Sequence, residues 1–267
     1  MSTISDTEFG QFQRFIFDVA GITLSDAKKA LVSGRLARRL EACRVANYGE
    51  YFRLLMSGSS PVELQTAVDL LTTNETYFFR EPKHFEFLKK LLRPGVPHPT
   101  AFRVWSAASS SGEEAYSIAM LLEDCLPNLP WEVVGSDISA RVLERARAAH
   151  YSMERIANFP PGYLQRFCLK GQGEQEGTML IERRLRSKVR FLQVNLNSPL
   201  PHMGMFDVVF LRNVLIYFSV DTKRKVIARI LGTLKPNGYL LIGHSESLIE
   251  ITEAAELVAP AIYRKIA

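Results

Sequence analysis

The sequence has few cysteines and lacks a secretion signal, which limits the compartment in which we expect it. Its three cysteines are far apart, and none has the C-x-x-C spacing of a disulfide framework or a zinc site; they are Cys43, Cys125 and Cys168. The segment Met1–Phe9 is polar and lacks the basic start and apolar stretch of a secretory signal. We therefore expect a cytoplasmic protein.

A membrane span and the motifs of several enzyme classes are also missing. The longest apolar stretch, residues 206–218, is interrupted by polar residues and falls short of the roughly 20 residues that a membrane helix needs. The five histidines are scattered without metal-ligand spacing, so we expect no metal. The serines at 109–111 lack the G-x-S-x-G elbow, which argues against a serine hydrolase.

The length and composition are those of an ordinary globular protein, and the net charge favours acidic partners. The 267 residues, of which 47% are hydrophobic and 23% charged, allow a helical module attached to a larger α/β domain. The net charge of +5 favours nucleic acid, an anionic protein surface or membrane headgroups without choosing among them.

The first 70 or so residues predict four helices. Ser5-x-x-Glu8 is a capping box, and Gly21 should end the first helix. The second helix should span residues 25–45, the third should follow Asn47, and Ser60 should cap the fourth ahead of a first-turn proline.

From residue 102 the pattern changes to short apolar runs that alternate with helical segments. This alternation predicts a doubly wound α/β domain with a parallel sheet covered on both faces. Strands are predicted at 102–107, 131–136, 188–193, 206–211 and 238–243, helices at 113–125, 139–149 and 220–234, and a closing hairpin at 256–266.

The helical segment should form a separate domain. Prolines at 93–100 mark one candidate boundary, but residues 81–92 can form a helix that covers the sheet, so we prefer a boundary near Thr73. This gives an all-helical domain at 1–73 and an α/β domain at 74–267. A glycine-bearing stretch at about 163–187 interrupts the alternation and predicts a small antiparallel β insertion.

The turn after the first predicted strand indicates the ligand. It contains small residues, Ala107 to Gly112, so a ligand can approach its backbone closely, yet a single glycine disfavours a nicotinamide dinucleotide. Glu113 and Glu114 would repel phosphate but suit a ligand with an ammonium group, such as S-adenosylmethionine. The alternative is that both glutamates only complement the helix dipole.

Two further residues follow predicted strands at the edge where doubly wound folds bind ligands. Asp137 is placed to accept hydrogen bonds from ribose hydroxyls, although it could instead cap the next helix. Arg212 leaves a buried strand and therefore needs an anion, either a substrate carboxylate or an internal ion pair.

Five motifs closely resemble those of the CheR-type chemotaxis receptor methyltransferases, over nearly the whole chain. They are Thr73–Glu81 (TNETYFFRE), Trp105–Ser117 (WSAASSSGEEAYS), Arg212–Phe218 (RNVLIYF), Leu234–Gly238 (LKPNG) and Gly243–Glu246 (GHSE). One departure is Ala115, where the family pattern has proline.

The resemblance implies S-adenosylmethionine as cofactor, S-adenosylhomocysteine as product and receptor glutamates as methyl acceptors. It implies that residues contacting the cofactor or framing its pocket are Asn74, Thr76, Arg80, Glu114, Asp137, Asn195, Leu196, Arg212 and Asn213. It further implies that Arg80, Arg212 and Tyr217 lie near the transferred methyl group. The expected partner is the cytoplasmic domain of a chemoreceptor in its membrane clusters, and a monomer is expected.

Two docking surfaces and two rival functions follow. The second helix carries a basic face, and the β insertion resembles a subdomain whose free edge accepts a receptor's C-terminal peptide. A nucleic-acid methyltransferase is the first rival, but no basic patch rich in aromatics and no N-P-P-Y-like motif supports it. A catalytically inactive adaptor is the second, and the presence of Arg80, Arg212 and Tyr217 argues against it.

Overall fold

The computed structural model describes residues 3–93 and 101–266, and its first part is a layer of four helices. They are α1 (Asp6–Ala20), α2 (Lys29–Ala42), α3 (Tyr48–Met56) and α4 (Pro61–Leu71). The predicted capping box is present, because the Ser5 side chain accepts from the Glu8 N–H while Glu8 accepts from the Ser5 N–H. Gly21 ends α1 with a φ of 71°, which confirms the predicted stop signal.

The second helix is shorter than the predicted span of 25–45. Residues Asp26–Lys28 form a 3₁₀ turn, and the α-helix begins only at Lys29. It ends at Ala42 because Arg44 adopts a left-handed φ of 55° and the Val45 N–H turns back to the Leu40 carbonyl at 3.0 Å. No glycine marks this stop, so the sequence pattern did not reveal it.

The second part is a seven-stranded mixed sheet with helices on both faces. The helices are α5 (Pro82–Leu91), α6 (Glu113–Cys125), α7 (Ala140–Ala148), α8 (Tyr163–Phe167), α9 (Arg183–Arg186) and α10 (Val220–Thr233). The strands of this sheet are β1 (Phe102–Ser106), β2 (Trp131–Asp137), β6 (Val189–Gln193), β7 (Phe206–Leu211), β8 (Leu234–Ile242), β9 (Ala255–Ala259) and β10 (Ile262–Lys265). Their order is β6-β2-β1-β7-β8-β10-β9.

The strand directions confirm the predicted doubly wound fold. Strands β6, β2, β1, β7 and β8 are parallel to one another, and β9 and β10 form the predicted antiparallel hairpin at the edge. Strand β8 begins at Leu234, four residues before its predicted start. Its register against β7 jumps from Leu234 to Tyr239, and this irregularity accommodates Pro236, which has no N–H to donate to the ladder.

The interruption of the α/β alternation is a three-stranded antiparallel sheet. Its strands are β3 (His150–Ser152), β4 (Cys168–Lys170) and β5 (Thr178–Ile181), in the order β3-β5-β4. Strand β3 lies before residue 163, where the predicted insertion starts. The free edges are those of β3 and β4, since β5 pairs with both.

Two buried clusters lie on opposite faces of the large sheet. One joins α1 to α4 with α10 and includes Trp105, and the other joins α5, α6 and the small sheet and includes Phe210. Of the proline-bearing segment at 93–100, residues 94–100 lie outside the described residues. In the part of the chain that the structure covers, none of the helices combines the length and apolar character that crossing a bilayer requires.

Candidate active site

A cavity of about 630 Å³ lies where the carboxyl ends of β1, β2, β6 and β7 meet the helical layer. Its volume is typical of small-molecule and cofactor sites. All ten site residues implied by the family resemblance line it: Asn74, Thr76, Arg80, Glu114, Asp137, Asn195, Leu196, Arg212, Asn213 and Tyr217. Glu113, the other glutamate after the β1 turn, is not among the lining residues and forms an ion pair with Arg155. The structure thus brings together residues from five segments of the chain, at the edge where this fold class binds ligands.

The turn between β1 and α6 forms one wall. Ala107 and Ala108 line the cavity with minimal side chains. Gly112 precedes α6 with a φ of 96°, and a Cβ atom there would lie 2.9 Å from both the Ala146 Cβ and the Tyr151 hydroxyl. A glycine is therefore required at this point, although the turn has no glycine pattern for binding a pyrophosphate.

Asp137 ends β2 and joins two loops at the cavity. Its carboxylate accepts the N–H of Ser110 at 2.9 Å, from the β1 turn, and the N–H of Ser139 at 3.0 Å, just before α7. Burial raises the pKa of this carboxyl to about 6, and the backbone N–H groups of Ser139, Ser110 and Ile138 only partly oppose the effect. Ser139 precedes α7, whose first N–H groups donate to Asp69 instead, so Asp137 does not cap this helix. A hydrogen-bonded carboxylate still keeps lone pairs for a ligand.

Arg212 forms a buried ion pair with two glutamates. Its Nη1 donates to Glu114 Oε2 at 2.7 Å, and its Nη2 lies 3.1 Å from Glu81 Oε2. Glu114 in turn accepts from the Ser106 hydroxyl at 2.7 Å. Of the two partners that the sequence allowed for Arg212, the internal ion pair is therefore present.

Arg80 differs from Arg212 in its surroundings. It is half-buried, its Nη1 donates to the Glu75 carbonyl at 3.1 Å, and its guanidinium lies 5.6 Å from the centre of the Tyr77 ring. Within the described part of the chain, no carboxylate forms an ion pair with it. Arg80 is thus an arginine on the cavity wall whose charge is available to a bound anion.

The segment that carries Asn74, Thr76 and Arg80 is fixed to the sheet domain. The Asn74 carbonyl accepts from the Ser110 hydroxyl at 2.7 Å. Phe78 and Phe79 are buried, and the Phe79 N–H donates to the Ser117 hydroxyl at 3.0 Å. Nothing in the α/β pattern indicated that this segment lines the cavity, and only the family resemblance pointed to it.

Asn195 and Asn213 line the cavity, and their side chains donate hydrogen bonds to other parts of the protein. Asn195 Nδ2 donates to the Val19 carbonyl of α1 at 2.6 Å, and Asn213 Nδ2 donates to Glu81 Oε1 at 3.3 Å. Asn213 adopts a left-handed φ of 57°, and its N–H donates to Glu246 at 2.9 Å. These contacts tie the strand ends to the surrounding loops.

The helical layer supplies wall residues that sequence reasoning missed. Thr23 and Leu24 line the cavity together with neighbours from α1 and α2. The Thr23 N–H donates to the Tyr217 carbonyl at 2.8 Å, and Ile22 forms an isolated bridge with Phe218. No local signal marks these residues, because the contact joins segments almost 200 positions apart.

Family comparisons agree with this architecture. The description "CheR methyltransferase, SAM binding domain" matches residues 74–263, and "CheR methyltransferase, all-alpha domain" matches residues 7–72. The chain belongs to the CheR methyltransferase family. The predicted family and the predicted methyltransferase function are confirmed.

Several CheR relatives match over nearly their whole length. A chemotaxis protein methyltransferase of Escherichia coli (strain K12) is 40% identical, with 97% of this chain and 91% of the relative covered. Chemotaxis protein methyltransferase 2 of Pseudomonas aeruginosa is 38% identical, with 96% and 92% covered. A chemotaxis protein methyltransferase of Borreliella burgdorferi is 35% identical, with 98% and 95% covered.

The one departure from the CheR motifs has little structural consequence. Ala115, which stands where the family pattern has proline, lies fully buried in the first turn of α6. The N–H groups of a first helical turn have no partner within the helix, so alanine and proline both fit there.

Proposed function

We propose that this CheR family member transfers the methyl group of S-adenosylmethionine to glutamate side chains of chemoreceptors. The products are γ-glutamyl methyl esters and S-adenosylhomocysteine. The observation that carries the proposal is that one cavity combines the buried carboxylates of Glu114 and Asp137 with Arg80, whose charge is available to an anion. The first two suit a cofactor with an ammonium group and ribose hydroxyls, and the third suits a carboxylate substrate.

The residues of the cavity fit S-adenosylmethionine. Asp137 offers carboxylate oxygens to ribose hydroxyls, and Glu114 offers negative charge to the ammonium group of the methionine part. Ala107 and Ala108 allow close approach to the backbone. When bound, the cofactor supplies a methyl group carried on a positively charged sulfur. After the transfer this sulfur belongs to a neutral thioether, which is the leaving group.

The protein's main contribution to the reaction is position. A glutamate side chain is already ionised at pH 7, so the transfer needs no general base. Arg80 binds one oxygen of the substrate carboxylate by a charge-assisted hydrogen bond, and Tyr217 orients the group. The second carboxylate oxygen stays free to attack, because an arginine that engaged both oxygens would reduce their nucleophilicity.

We assign Arg212 a positioning role. Its guanidinium donates to Glu114 on one side and to the Arg80 carbonyl, at 2.5 Å, on the other. It therefore fixes the distance between the residue proposed for the cofactor's ammonium group and the residue proposed for the substrate carboxylate. Two neighbouring glutamates balance its charge, which leaves it less able than Arg80 to hold a third carboxylate.

The basic face of α2 is the proposed receptor-docking surface, and three of its six cations support this role. Lys29 forms an ion pair with Asp6, Arg39 forms one with Glu63, and Arg35 donates to the Leu71 and Thr72 carbonyls, so these three act inside the protein. The exposed cations without a carboxylate partner in the described residues are Arg38 on α2, Lys28 in the turn before it and Arg44 after it, and Lys28 also lines the cavity. These can attract an acidic receptor surface.

The small sheet is a second proposed contact. Strand β4 has a free edge, and Leu169 on it is 52% exposed. Gly171 follows this strand, and a Cβ atom there would lie 1.9 Å from the Gln175 carbonyl, so the tight return to β5 requires glycine. An extended receptor C-terminal peptide could pair with this edge by strand addition.

A labelling experiment tests the proposed activity. The protein is incubated with methyl-labelled S-adenosylmethionine and receptor cytoplasmic fragments, and label released by mild base is measured. We expect base-labile label on the receptor, a rate at least tenfold lower for Arg80→Ala, and an unchanged rate for Arg145→Ala, a matched exposed arginine on α7. No ester on any receptor, with label on RNA instead, would favour the nucleic-acid alternative. Cytoplasmic location and a monomeric state stay predictions.

A further inference from the structure

Beside the cavity wall, three potential metal ligands meet in a cluster that the proposed reaction does not use. Glu81 precedes α5, His84 lies in its first turn, and His244 follows β8. One ligand atom of each lies within 4.8 Å of the other two. His84 Nδ1 is 3.4 Å from Glu81 Oε2, and His244 Nε2 is 3.7 Å from the same oxygen.

Buried polar atoms in this cluster lack hydrogen bonds. The His84 ring is fully buried, and neither of its nitrogens has a hydrogen-bond partner among the described residues. Glu81 Oε2 is also buried and unpaired by hydrogen-bond geometry within those residues. Because buried polar groups normally find partners, the two unbonded nitrogens of His84 beside Glu81 make this cluster a candidate ligand site.

The spacing of the ligand atoms suits a tetrahedral ion. Zinc binds imidazole nitrogen and carboxylate oxygen at about 2.0–2.1 Å, so neighbouring ligands of a tetrahedral site lie about 3.3–3.4 Å apart. The separations of 3.4 and 3.7 Å from Glu81 Oε2 need only a small side-chain adjustment to reach this value. The ligand nitrogens of the two histidines lie within 4.8 Å of each other, so binding would also draw the exposed His244 ring towards His84. Two imidazoles and one carboxylate suit zinc and similar transition metals, whereas magnesium prefers oxygen ligands.

We propose that Glu81, His84 and His244 form a binding site for a zinc-class divalent transition-metal ion. The side chain of His244 is 44% exposed and gives an ion access from solvent. The sequence spacing did not indicate this site, because the third ligand is 160 residues from the second.

Occupation of this site should weaken cofactor binding, an extension that rests on the proposed role of Glu114. Glu81 Oε2 faces Arg212 Nη2 at 3.1 Å, so a dication and the guanidinium would compete for one oxygen and repel each other. Arg212 also holds Glu114. Displacement of Arg212 would therefore disturb the carboxylate proposed for the cofactor's ammonium group.

Calorimetric titration of chelator-treated full-length protein with zinc chloride tests the site. We expect one zinc ion per chain in the wild type and in the control His202→Ala, which alters an exposed histidine outside the cluster. His244→Ala should bind zinc at least tenfold more weakly, and magnesium should not bind. Wild-type protein that binds no zinc, or His244→Ala that binds it as tightly as wild type, would overturn the metal site.

A second titration tests the coupling. The affinity of the wild type for S-adenosylmethionine should fall several-fold when zinc is present. In His244→Ala the ratio of the affinities without and with zinc should return towards one. An equal cofactor affinity with and without zinc would disprove the coupling. A wild type that binds no cofactor under either condition would disprove the proposed function and the coupling, while the zinc titration would still decide the metal site.

Discussion

The protonation state of Asp137 should control how tightly the cofactor binds. Burial raises the pKa of this carboxyl to about 6 from the ordinary value of 3.8. Ribose hydroxyls bind an ionised carboxylate more strongly than a protonated one. The affinity for S-adenosylmethionine should therefore be constant at alkaline pH and fall by up to about tenfold for each pH unit below 6.

The size of the pKa shift gives the free energy by which folding favours the protonated form of Asp137. A rise from 3.8 to about 6 corresponds to about 3 kcal/mol in favour of the protonated form in the folded protein. Above pH 6 the carboxyl is ionised in both the folded and the unfolded chain, and its burial destabilises the folded protein by the full amount of about 3 kcal/mol. As the pH falls from 6 towards 4, only the folded protein takes up the proton, so this group's penalty on stability disappears. A cofactor that donates hydrogen bonds to the carboxylate lowers its pKa again.

Calorimetry in two buffers with different ionisation enthalpies measures the linked proton. Cofactor binding at pH 5 should release close to one proton per protein, and binding at pH 8 should release almost none. The control Asp137→Asn carries no titrating group and should release no proton from this site at either pH. Wild-type protein that binds S-adenosylmethionine equally well at pH 5 and pH 8 and releases no proton would refute the role of Asp137.

Two other variants test the proposed roles of Arg212 and of the basic face. Arg212→Ala leaves two buried carboxylates without their partner and should lower the free energy of unfolding by about 3–5 kcal/mol in urea titrations. The exposed control Arg224→Ala should change it by less than about 0.5 kcal/mol, and equal stability of both variants would contradict the buried ion pair. The double change Arg38→Glu and Arg44→Glu should raise the KM for receptor fragments several-fold and leave the KM for the cofactor unchanged; an unaltered receptor KM would exclude docking through this face.

The sequence predicts those parts of the fold that depend on local signals. Ser5, Gly21 and Ser60 mark helix ends through side-chain capping or backbone freedom, and the structure confirms all three. The start of β8 was predicted four residues late, because the irregular pairing around Pro236 depends on its partner β7. The end of α2 was placed too late because a non-glycine residue, Arg44, adopts the left-handed turn.

The candidate site was predictable where a strand end and a turn are adjacent in the chain. The doubly wound pattern made Glu113, Glu114 and Asp137 candidates, since strand ends of a parallel sheet meet at one edge, and the family resemblance selected Glu114. The segment at 74–80 came only from the family resemblance. The alternatives for Arg212 could not be separated, because its partner Glu81 lies 131 positions earlier in the chain and on a different element.

The helical layer lines the candidate cofactor cavity and also carries the proposed docking surface. Asp69 of α4 accepts the N–H groups of Ala140 and Arg141, at 3.0 and 3.2 Å, and so caps α7 directly after the loop of Asp137. Gln65 of the same helix donates to the Ile138 carbonyl at 3.1 Å. Helices α1 and α4 therefore hold loops that frame the cavity, and α2, which packs on α4, carries Arg38 and is flanked by Lys28 and Arg44. On the proposed assignments, a receptor on the basic face would contact the same packed layer that fixes the loop of Asp137.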